Sequence, residues 1–261
     1  MSVKGIKPAL IVGSGLENFN FLNNWKELEV DTPYGAPSST LFSGMFQQME
    51  VLILSRHGRE HTIPPSQVNN RANIWALKEA GCTHILAVSA CGSLREQIET
   101  GDIIFPDQFI DFTRHRAITF FESFEPHQPR HFAMPDPFDA TLKEILAEAA
   151  ERLGIRHHNQ ATVITIEGPR LSTRAESHMF RSWGADIINM STAPEVILAN
   201  ELQIPYALAA LSTDYDAWRE NDKAVSWEEI VTVFRQNINK VSKLLLDVLA
   251  LLSDRNMRGA K

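Results

Sequence analysis

Residues 84–90, which read His-Ile-Leu-Ala-Val-Ser-Ala, are the stretch of this sequence that decides its fold. The run is apolar almost throughout and does not alternate with polar residues, which is typical of a strand buried on both faces of a sheet. A helical pattern at residues 68–80 precedes it, and Gly81 supplies the stop between the two. Helix followed by buried strand indicates a parallel sheet with helices packed on it.

The same alternation continues in both directions along the chain. Further strands are predicted at residues 9–12, 49–55, 102–112, 162–166, 186–190 and 206–212. A further helix is predicted at residues 141–153, with Thr141 and Glu144 as a capping box and Gly154 as the C-cap. Another is predicted at residues 173–183, with Thr173 and Glu176 as a capping box. Two more follow: one after Thr192, with Pro194 in its first turn, and one capped by Ser226 and Glu229 that extends to about residue 252. We expect an α/β fold in which residues 1–261 form a single domain, with a mixed, largely parallel central sheet flanked by helices.

Composition excludes several classes of function. The 261 residues carry a net charge of −7, whereas binding nucleic acid by bulk electrostatics needs a basic surface. Two cysteines are too few for a secreted disulfide framework, and the sequence shows neither a signal peptide nor an apolar stretch of ~20 residues. We expect a cytoplasmic protein without a membrane or nucleic-acid partner.

Residues 113–137 form the longest irregular stretch and are rich in His, Pro, Phe and Arg. A long loop inside a compact domain is usually functional or disordered. The aromatic side chains favour an ordered loop, packed on another subunit.

Polar groups suited to an oxyanion follow several of the predicted strands. Ser14 lies between two glycines, Arg56 offers a planar fork of N–H donors, and Ser89 and Ser191 add hydroxyls. Taken singly, these residues have simpler interpretations: a tight turn at Ser14, a surface ion pair at Arg56 and local backbone hydrogen bonds at the serines. Taken together they predict a phosphate site, because in such sheets ligands lie beyond the carboxyl ends of the strands.

Two acids, Asp214 and Asp216, follow the strand predicted at residues 206–212. Carboxylates two apart in an extended segment point the same way, so both can face the edge of a base. Asp214 is then placed to protonate purine N7 as a general acid, and Asp216 to accept a hydrogen bond from an exocyclic amine. The alternatives are an Asx-turn, a helix cap or a metal site, although two clustered acids are weak support for a metal.

The histidines and cysteines give no pattern of their own. His57 and His61 are four apart, but Gly58 lies between them and two prolines follow, so a helical metal site is not expected. We assign His57 to phosphate and His61 to the 5' side of a sugar. His157 and His158 are expected on the solvated surface, and Cys91 is interpreted as a small buried hydrophobe rather than a nucleophile.

Ten stretches, taken in order, resemble the trimeric branch of the purine nucleoside phosphorylase superfamily, and its methylthioadenosine phosphorylases in particular. They are VGSGL (12–16), DTPYG (31–35), SRHGR (55–59), ANIWAL (72–77), ACGSLR (90–95), TIEGPR (165–170), RAES (174–177), WGAD (183–186), NM (189–190) and TDYD (213–216). The resemblance extends from about residue 9 to about residue 250. It implies a nucleoside phosphorylase-like fold and a homotrimer with active sites at subunit contacts.

The resemblance also implies roles for individual residues. Phosphate would be bound by Ser14, Arg56, His57, Ser89, the backbone of Ala90 and Ser191. The nucleoside would be bound by Met190 under the ribose, Thr213 beside the base, Asp214, Asp216, His61 and Leu171. His131, in the long loop, would reach a neighbour's 5' pocket, to which Trp227 is also assigned.

The expected reaction is phosphate-dependent cleavage of 5'-methylthioadenosine to adenine and 5-methylthioribose 1-phosphate. It needs no metal and no cofactor besides inorganic phosphate as co-substrate. Leu171 stands where the family often has phenylalanine, and Trp227 where a smaller aliphatic is common, so the 5' preference is the open point. The alternatives are a purine nucleoside phosphorylase acting on adenosine or methylthioinosine, a nucleoside hydrolase, and a non-catalytic nucleoside-binding protein.

Overall fold

A computed structural model describes residues 5–13, 21–220, 222–223 and 225–259. Ser14, one of the predicted phosphate ligands, lies outside the described residues. The strands within these ranges are β1 (Pro8–Val12), β2 (Asn23–Leu28), β3 (Leu41–Phe46), β4 (Met49–Ser55), β5 (His84–Ser93), β6 (Ile103–Ile104), β7 (Gln108–Phe112), β8 (His157–His158), β9 (Thr162–Ile166), β10 (Ile187–Asn189) and β11 (Tyr206–Asp214). The α-helices are α1 (Asn70–Glu79), α2 (Ala140–Arg152), α3 (Arg174–Ser182), α4 (Thr192–Glu201) and α5 (Trp227–Gly259).

The described strands join into one mixed sheet with β5 at its centre. Along one path the order is β2-β3-β4-β1-β5-β10-β9-β7, while β11 pairs with the other edge of β5 and leads to β6 and β8. The pairs β1–β4, β1–β5, β5–β11 and β9–β10 are parallel, whereas β5–β10 is antiparallel. The expectation of a mixed, largely parallel sheet is confirmed.

Helices cover both faces of this sheet because alternate strand residues point to opposite faces. In β1, Leu10 and Val12 pack into the cluster that contains α2 and α5, whereas Ala9 and Ile11 pack into the cluster that contains α1 and α4. None of the helices in the described part of the chain is both long enough and apolar enough to cross a membrane.

Most predicted elements are present with shifted ends. The helix predicted at residues 68–80 is α1, which begins after the N-cap Asn69. The stretch predicted as extended at 102–112 contains two strands, β6 and β7, and β11 continues two residues beyond its predicted end to include Asp214. Helix α5 continues to Gly259, past the predicted end at residue 252. Three of the described strands, β2, β3 and β8, were not predicted.

Two of the three predicted capping boxes are present. Thr173 accepts a hydrogen bond from the backbone N–H of Glu176, and Ser226 from that of Glu229. The box at the start of α2 is wrong: Asp139 is the N-cap and accepts from the Leu142 N–H at 2.8 Å. An aspartate side chain caps as well as threonine does, so it caps α2 two residues before the predicted position.

His157 and His158 are not on the solvated surface as predicted. They form β8, pair with β6 and are half-buried. His158 Nε2 lies 2.8 Å from an oxygen of Asp102, whose backbone carbonyl accepts from Ser212 N–H. The pair therefore helps to fix β11 behind the site.

Candidate active site

The predicted site residues gather where β4, β5, β10 and β11 end. Arg56 N–H donates to the Val12 carbonyl, which brings the end of β4 to the end of β1. In β5, Ser89 and Ala90 lie beside Ala210 and Leu211 of β11. The sheet therefore assembles, from segments distant in sequence, the residues that were assigned to phosphate and to the nucleoside.

Arg56 does not lie in a surface ion pair, the simpler interpretation of this residue. Its side chain is 2% exposed, and its guanidinium donates through Nε and Nη2 to the two carboxylate oxygens of Glu195. Nη1 donates to the Val88 carbonyl at 2.8 Å, and a Cβ added to Gly13 would lie 3.9 Å from Nη1. One edge of the guanidinium is thus occupied, and the Nη1 end faces the glycine that precedes Ser14.

His57 and His61 stack on each other with ring centroids 4.6 Å apart. Burial, with the positive charge of Arg56 beside it, lowers the pKa of His57 to about 4. His57 is therefore neutral near pH 7. In the described part of the chain no three His, Cys, Asp or Glu side chains are placed to hold a metal.

Trp227 was assigned to a neighbour's 5' pocket, but it contacts its own chain. Its ring centroid lies 5.3 Å from that of His61, and its side chain is 55% exposed. Within its own chain Trp227 extends the wall that begins with His57 and His61, and its assignment to a neighbour's 5' pocket stays a prediction. His131 lies on the exposed loop against Phe124, with centroids 5.7 Å apart.

Ser89 and Ser191 are both buried, and Asn189 links them. The Asn189 amide donates to Ser89 Oγ at 3.1 Å and to Thr192 Oγ1 at 2.6 Å. Ser191 is the N-cap residue of α4, but its side chain makes no capping hydrogen bond. Its hydroxyl is therefore not committed to the helix that it precedes, and the N-terminus of α4 adds a favourable field for an anion.

The two acids do not lie in an extended segment, so that part of the prediction is wrong. Asp214 ends β11, while Asp216 has a φ of 49° and its N–H donates to Asp214 Oδ1 at 2.8 Å. This is the Asx-turn that was kept as an alternative. Thr213 Oγ1 contacts Asp214 Oδ2 at 2.8 Å and the Cys91 carbonyl at 3.2 Å.

Burial raises the pKa of Asp214 to about 6, against the two hydrogen bonds that favour its charged form, and the nearby acids Asp216 and Glu229 add to the rise. Burial also raises the pKa of Asp216. The hydroxyls of Ser172 and Ser177 lie against the Asp216 carboxylate, and their hydrogen bonds oppose this rise. Asp216 therefore presents a buried carboxylate that suits the polar edge of a ligand.

Glycine is needed at two positions that face these residues. A Cβ on Gly92 would lie 2.9 Å from Asp214 Oδ1 and 3.0 Å from Ile188 Cγ2. Gly168 has a φ of 63°, and its Cβ would lie 2.4 Å from Met190 Sδ. The half-buried Met190 therefore packs directly on the backbone that follows β9. Leu171, a few residues further on, is 39% exposed.

The sequence did not predict a buried ion pair whose arginine also donates to the backbone of Met190. Arg116 pairs with Glu167 at 2.9 Å and donates through Nη1 to the Met190 carbonyl at 2.9 Å. Its side chain is 2% exposed, although it comes from the loop at 113–137.

Glu195 was also not predicted as a site residue. The sequence feature that could have shown it is an acid within the otherwise apolar run 193–199 of α4. Cys91 is buried, which confirms its interpretation, and burial raises its pKa.

A family model described as the phosphorylase superfamily matches residues 7–250, and the chain belongs to that superfamily. Within that superfamily, it is similar to proteins named S-methyl-5'-thioadenosine phosphorylase. The protein of Xenopus tropicalis is 50% identical over 250 residues, which cover 95% of this chain and 89% of the relative. That of Drosophila melanogaster is 45% identical over 95% of this chain and 86% of the relative.

Solved structures show the same likeness in three dimensions. Methylthioadenosine phosphorylase from Schistosoma mansoni, in complex with adenine, superposes with a TM-score of 0.89 at 37% identity, covering 98% of this chain and 96% of that one. A methylthioadenosine phosphorylase from an antarctic soil metagenomic library gives 0.88 at 40% identity, covering 96% and 87%.

Proposed function

We propose that this protein cleaves 5'-methylthioadenosine with inorganic phosphate, giving adenine and 5-methylthioribose 1-phosphate. The observation that carries the proposal is the arrangement at the ends of β4, β5 and β11. Donors suited to an oxyanion lie on one side, and a carboxyl with a pKa of about 6 lies on the other. Relatives of this name that match nearly the whole chain support the same activity.

In the proposed reaction the bond between C1' and the purine nitrogen breaks while a phosphate oxygen bonds to C1'. Arg56, Ser89, Ala90 and Ser191 hold phosphate as an anion beside the positive charge that develops on the sugar. Such electrostatic preorganisation is usually the largest catalytic contribution. The purine leaves more readily when N7 is protonated, and this proton comes from Asp214, whose pKa lies near the working pH.

Asp216 carries the base preference in this proposal. Its carboxylate, which has more acceptor sites than Ser172 and Ser177 fill, accepts a hydrogen bond from the 6-amino group of adenine, whereas the 6-oxo group of hypoxanthine would present an acceptor to an acceptor. The site therefore favours 6-aminopurines. Choice at the 5' end is weaker, because one methylene-sized difference is worth only ~1–3 kcal/mol, and adenosine is expected to be a slower substrate.

We also propose that the protein works as a cytoplasmic homotrimer. Phe124 and Phe132 of the loop at 113–137 are 47% and 41% exposed, and exposed aromatic side chains are typical of a surface that another subunit covers. His131, which contacts Phe124, is the residue proposed to reach the neighbour's 5' pocket. Cys82 and Cys91 are both free thiols, as expected in a reducing compartment.

The direct test is adenine release from methylthioadenosine with and without inorganic phosphate. Release that needs phosphate, with the sugar recovered as its 1-phosphate, supports the proposal. Release in phosphate-free buffer would mean that the protein is a hydrolase. Tight binding of the nucleoside without release under either condition would identify a binding protein.

A further inference from the structure

The phosphate subsite has less positive charge than its residues suggest. Arg56 is paired through two nitrogens with Glu195, whose side chain is 1% exposed, and Tyr206 Oη donates to Glu195 Oε2 at 2.8 Å. Tyr206 is also buried. Glu195, which accepts from three donors, therefore compensates much of the positive charge of Arg56 within a buried ion pair. Arg56 therefore offers an incoming anion N–H donors rather than an uncompensated charge.

His57 has a fixed arrangement of its ring proton. Its Nδ1 lies 2.9 Å from the Ile63 carbonyl oxygen. A carbonyl oxygen only accepts hydrogen bonds, so Nδ1 carries the proton and Nε2 of the neutral ring presents a lone pair.

The groups that face His57 keep the ring neutral. Burial has the largest effect on its pKa, followed by Arg56 from the same loop, and His61 and Arg116 lower it further. Arg116 comes from the loop after β7 and is itself paired with Glu167. The hydrogen bond to Ile63 opposes these effects but does not outweigh them. The neutral ring, with its lone pair on Nε2, therefore persists through neutral pH.

We infer that this subsite selects oxyanions that carry a proton, with His57 Nε2 accepting a hydrogen bond from the P–OH group while Arg56 and the serine hydroxyls donate to the other oxygens. His57 is thus a residue that determines specificity for phosphate over sulfate. The inference rests on the proposed function, in which Arg56 and His57 bind phosphate. Near pH 8 the two anions have nearly the same shape and both are doubly charged, but phosphate retains one proton and sulfate has none.

The test is anion binding to the whole protein in mildly alkaline buffer at constant ionic strength. Calorimetric titrations with phosphate, arsenate and sulfate are compared, each with and without adenine. We expect phosphate and arsenate to bind with similar affinity and at least ~100-fold more tightly than sulfate, because a site built to accept an O–H rejects the analogue that lacks it. Sulfate binding within about tenfold of phosphate would overturn the inference, as would no binding of either anion.

Two variants separate the contribution of His57 from the shape of the subsite. Glutamine at position 57 presents an amide N–H, which donates to sulfate as readily as to phosphate, so His57→Gln should reduce the phosphate preference to less than ~10-fold. His178→Gln, on the exposed side of α3, is the matched control and should keep the wild-type preference. An unchanged preference in a folded His57→Gln protein would contradict the inference, and the wild-type comparison alone decides the matter if that variant does not fold.

Failure of the proposed function gives a different result. If the protein prefers phosphate over sulfate but releases no adenine, the anion selectivity is retained and the nucleoside assignment is wrong. If it cleaves methylthioadenosine with phosphate while sulfate competes equally, the activity is retained and the role of His57 is wrong.

Discussion

Asp214 combines a hydrogen-bonded carboxylate with a pKa that is raised to about 6. Its oxygens accept from Thr213 and from the backbone of Asp216, yet burial outweighs both bonds. A general acid is most effective when its pKa lies near the working pH, and such groups contribute about 10²–10⁴-fold to rate.

Replacing Asp214 by Asn should therefore slow adenine release by ~10²–10³-fold while the affinity for phosphate stays near the wild-type value. Asn keeps the shape and an acceptor for the Asp216 N–H but has no acidic proton. Steady-state kinetics with phosphate and nucleoside varied separately would show this split. Wild-type turnover in the variant would remove Asp214 from the chemistry.

The raised pKa of Asp214 also links pH to stability. The native protein holds this proton up to about pH 6, whereas the unfolded chain releases it near the ordinary aspartate pKa of 3.8. Stabilisation by the protonated group is complete below the unfolded pKa and is lost as pH rises through the folded pKa, by up to about 3 kcal/mol. Urea unfolding at pH values from 4 to 8 should show a smaller loss in Asp214→Asn than in the wild type. Parallel pH profiles would contradict the shift.

In the proposed function, Asp216 determines the preference for 6-aminopurines over 6-oxopurines. Asp216→Asn adds an N–H donor where the wild type has only acceptors, so it should lower kcat/KM for methylthioadenosine and raise it for methylthioinosine. The substitution removes one hydrogen bond to methylthioadenosine and adds one to methylthioinosine, so the ratio of the two kcat/KM values should change by roughly 10–100-fold. Competition between the two substrates in one reaction measures the ratio directly, and a ratio equal to that of the wild type would exclude the role.

At the scale of secondary structure, α2 provides a test of its corrected N-terminus. Asp139→Ala removes the acceptor for the Leu142 N–H and should cost about 1 kcal/mol in the free energy of unfolding. Thr141→Ala is the matched control and should change stability by less than about 0.5 kcal/mol, because Thr141 lies within the first turn rather than at the cap. The free energy of unfolding is measured by urea titration. Equal losses in the Asp139→Ala and Thr141→Ala variants would support Thr141 as the N-cap, as the sequence predicted.

The sequence predicted those elements whose signal is local. Buried strands such as β4 and β9 showed as short, mainly apolar runs, and their ends were predicted to the residue. Strand β2 gave no such signal, because its residues are almost all exposed at the edge of the sheet and β3 is its strand partner among the described residues. Such pairing depends on residues distant in sequence, so periodicity within one segment does not reveal it.

The candidate site was predicted as a set of residue types, and its geometry was not. Arg56 and Asp214 were found because they come at the ends of strands, but the buried ion pairs join residues far apart in the chain. Glu195 is 139 residues from Arg56, and Arg116 is 51 residues from Glu167. Burial of these charges and the turn between Asp214 and Asp216 result from the packed sheet. A single sequence without relatives shows neither.

For the whole molecule, the proposed trimer makes a mixing test possible. If each site combines Asp214 of one subunit with His131 of a neighbour, then His131→Ala and Asp214→Asn proteins are each impaired in all of their sites. Refolding the two together should restore some wild-type sites, and activity should exceed that of the two proteins refolded separately by at least ~10-fold. Size-exclusion chromatography with light scattering checks the assembly. No gain from mixed trimers would place His131 outside the neighbour's site.

Strand β5 pairs with β1, β10 and β11, and it carries Ser89 and Ala90. Amides held on both edges of a central strand exchange with deuterium only when the whole domain opens, whereas those of an exposed loop exchange within local fluctuations. In the proposed site we therefore expect the boundary between slow and fast exchange to separate two groups of residues. Ser89 and Ala90, proposed to bind phosphate, should belong to the slowest-exchanging core, and the loop at 113–137, proposed to cover the 5' end, should exchange fast. On this proposal, anion recognition is built into the folding core, while recognition of the 5' substituent rests on a segment that can change in sequence without disturbing that core.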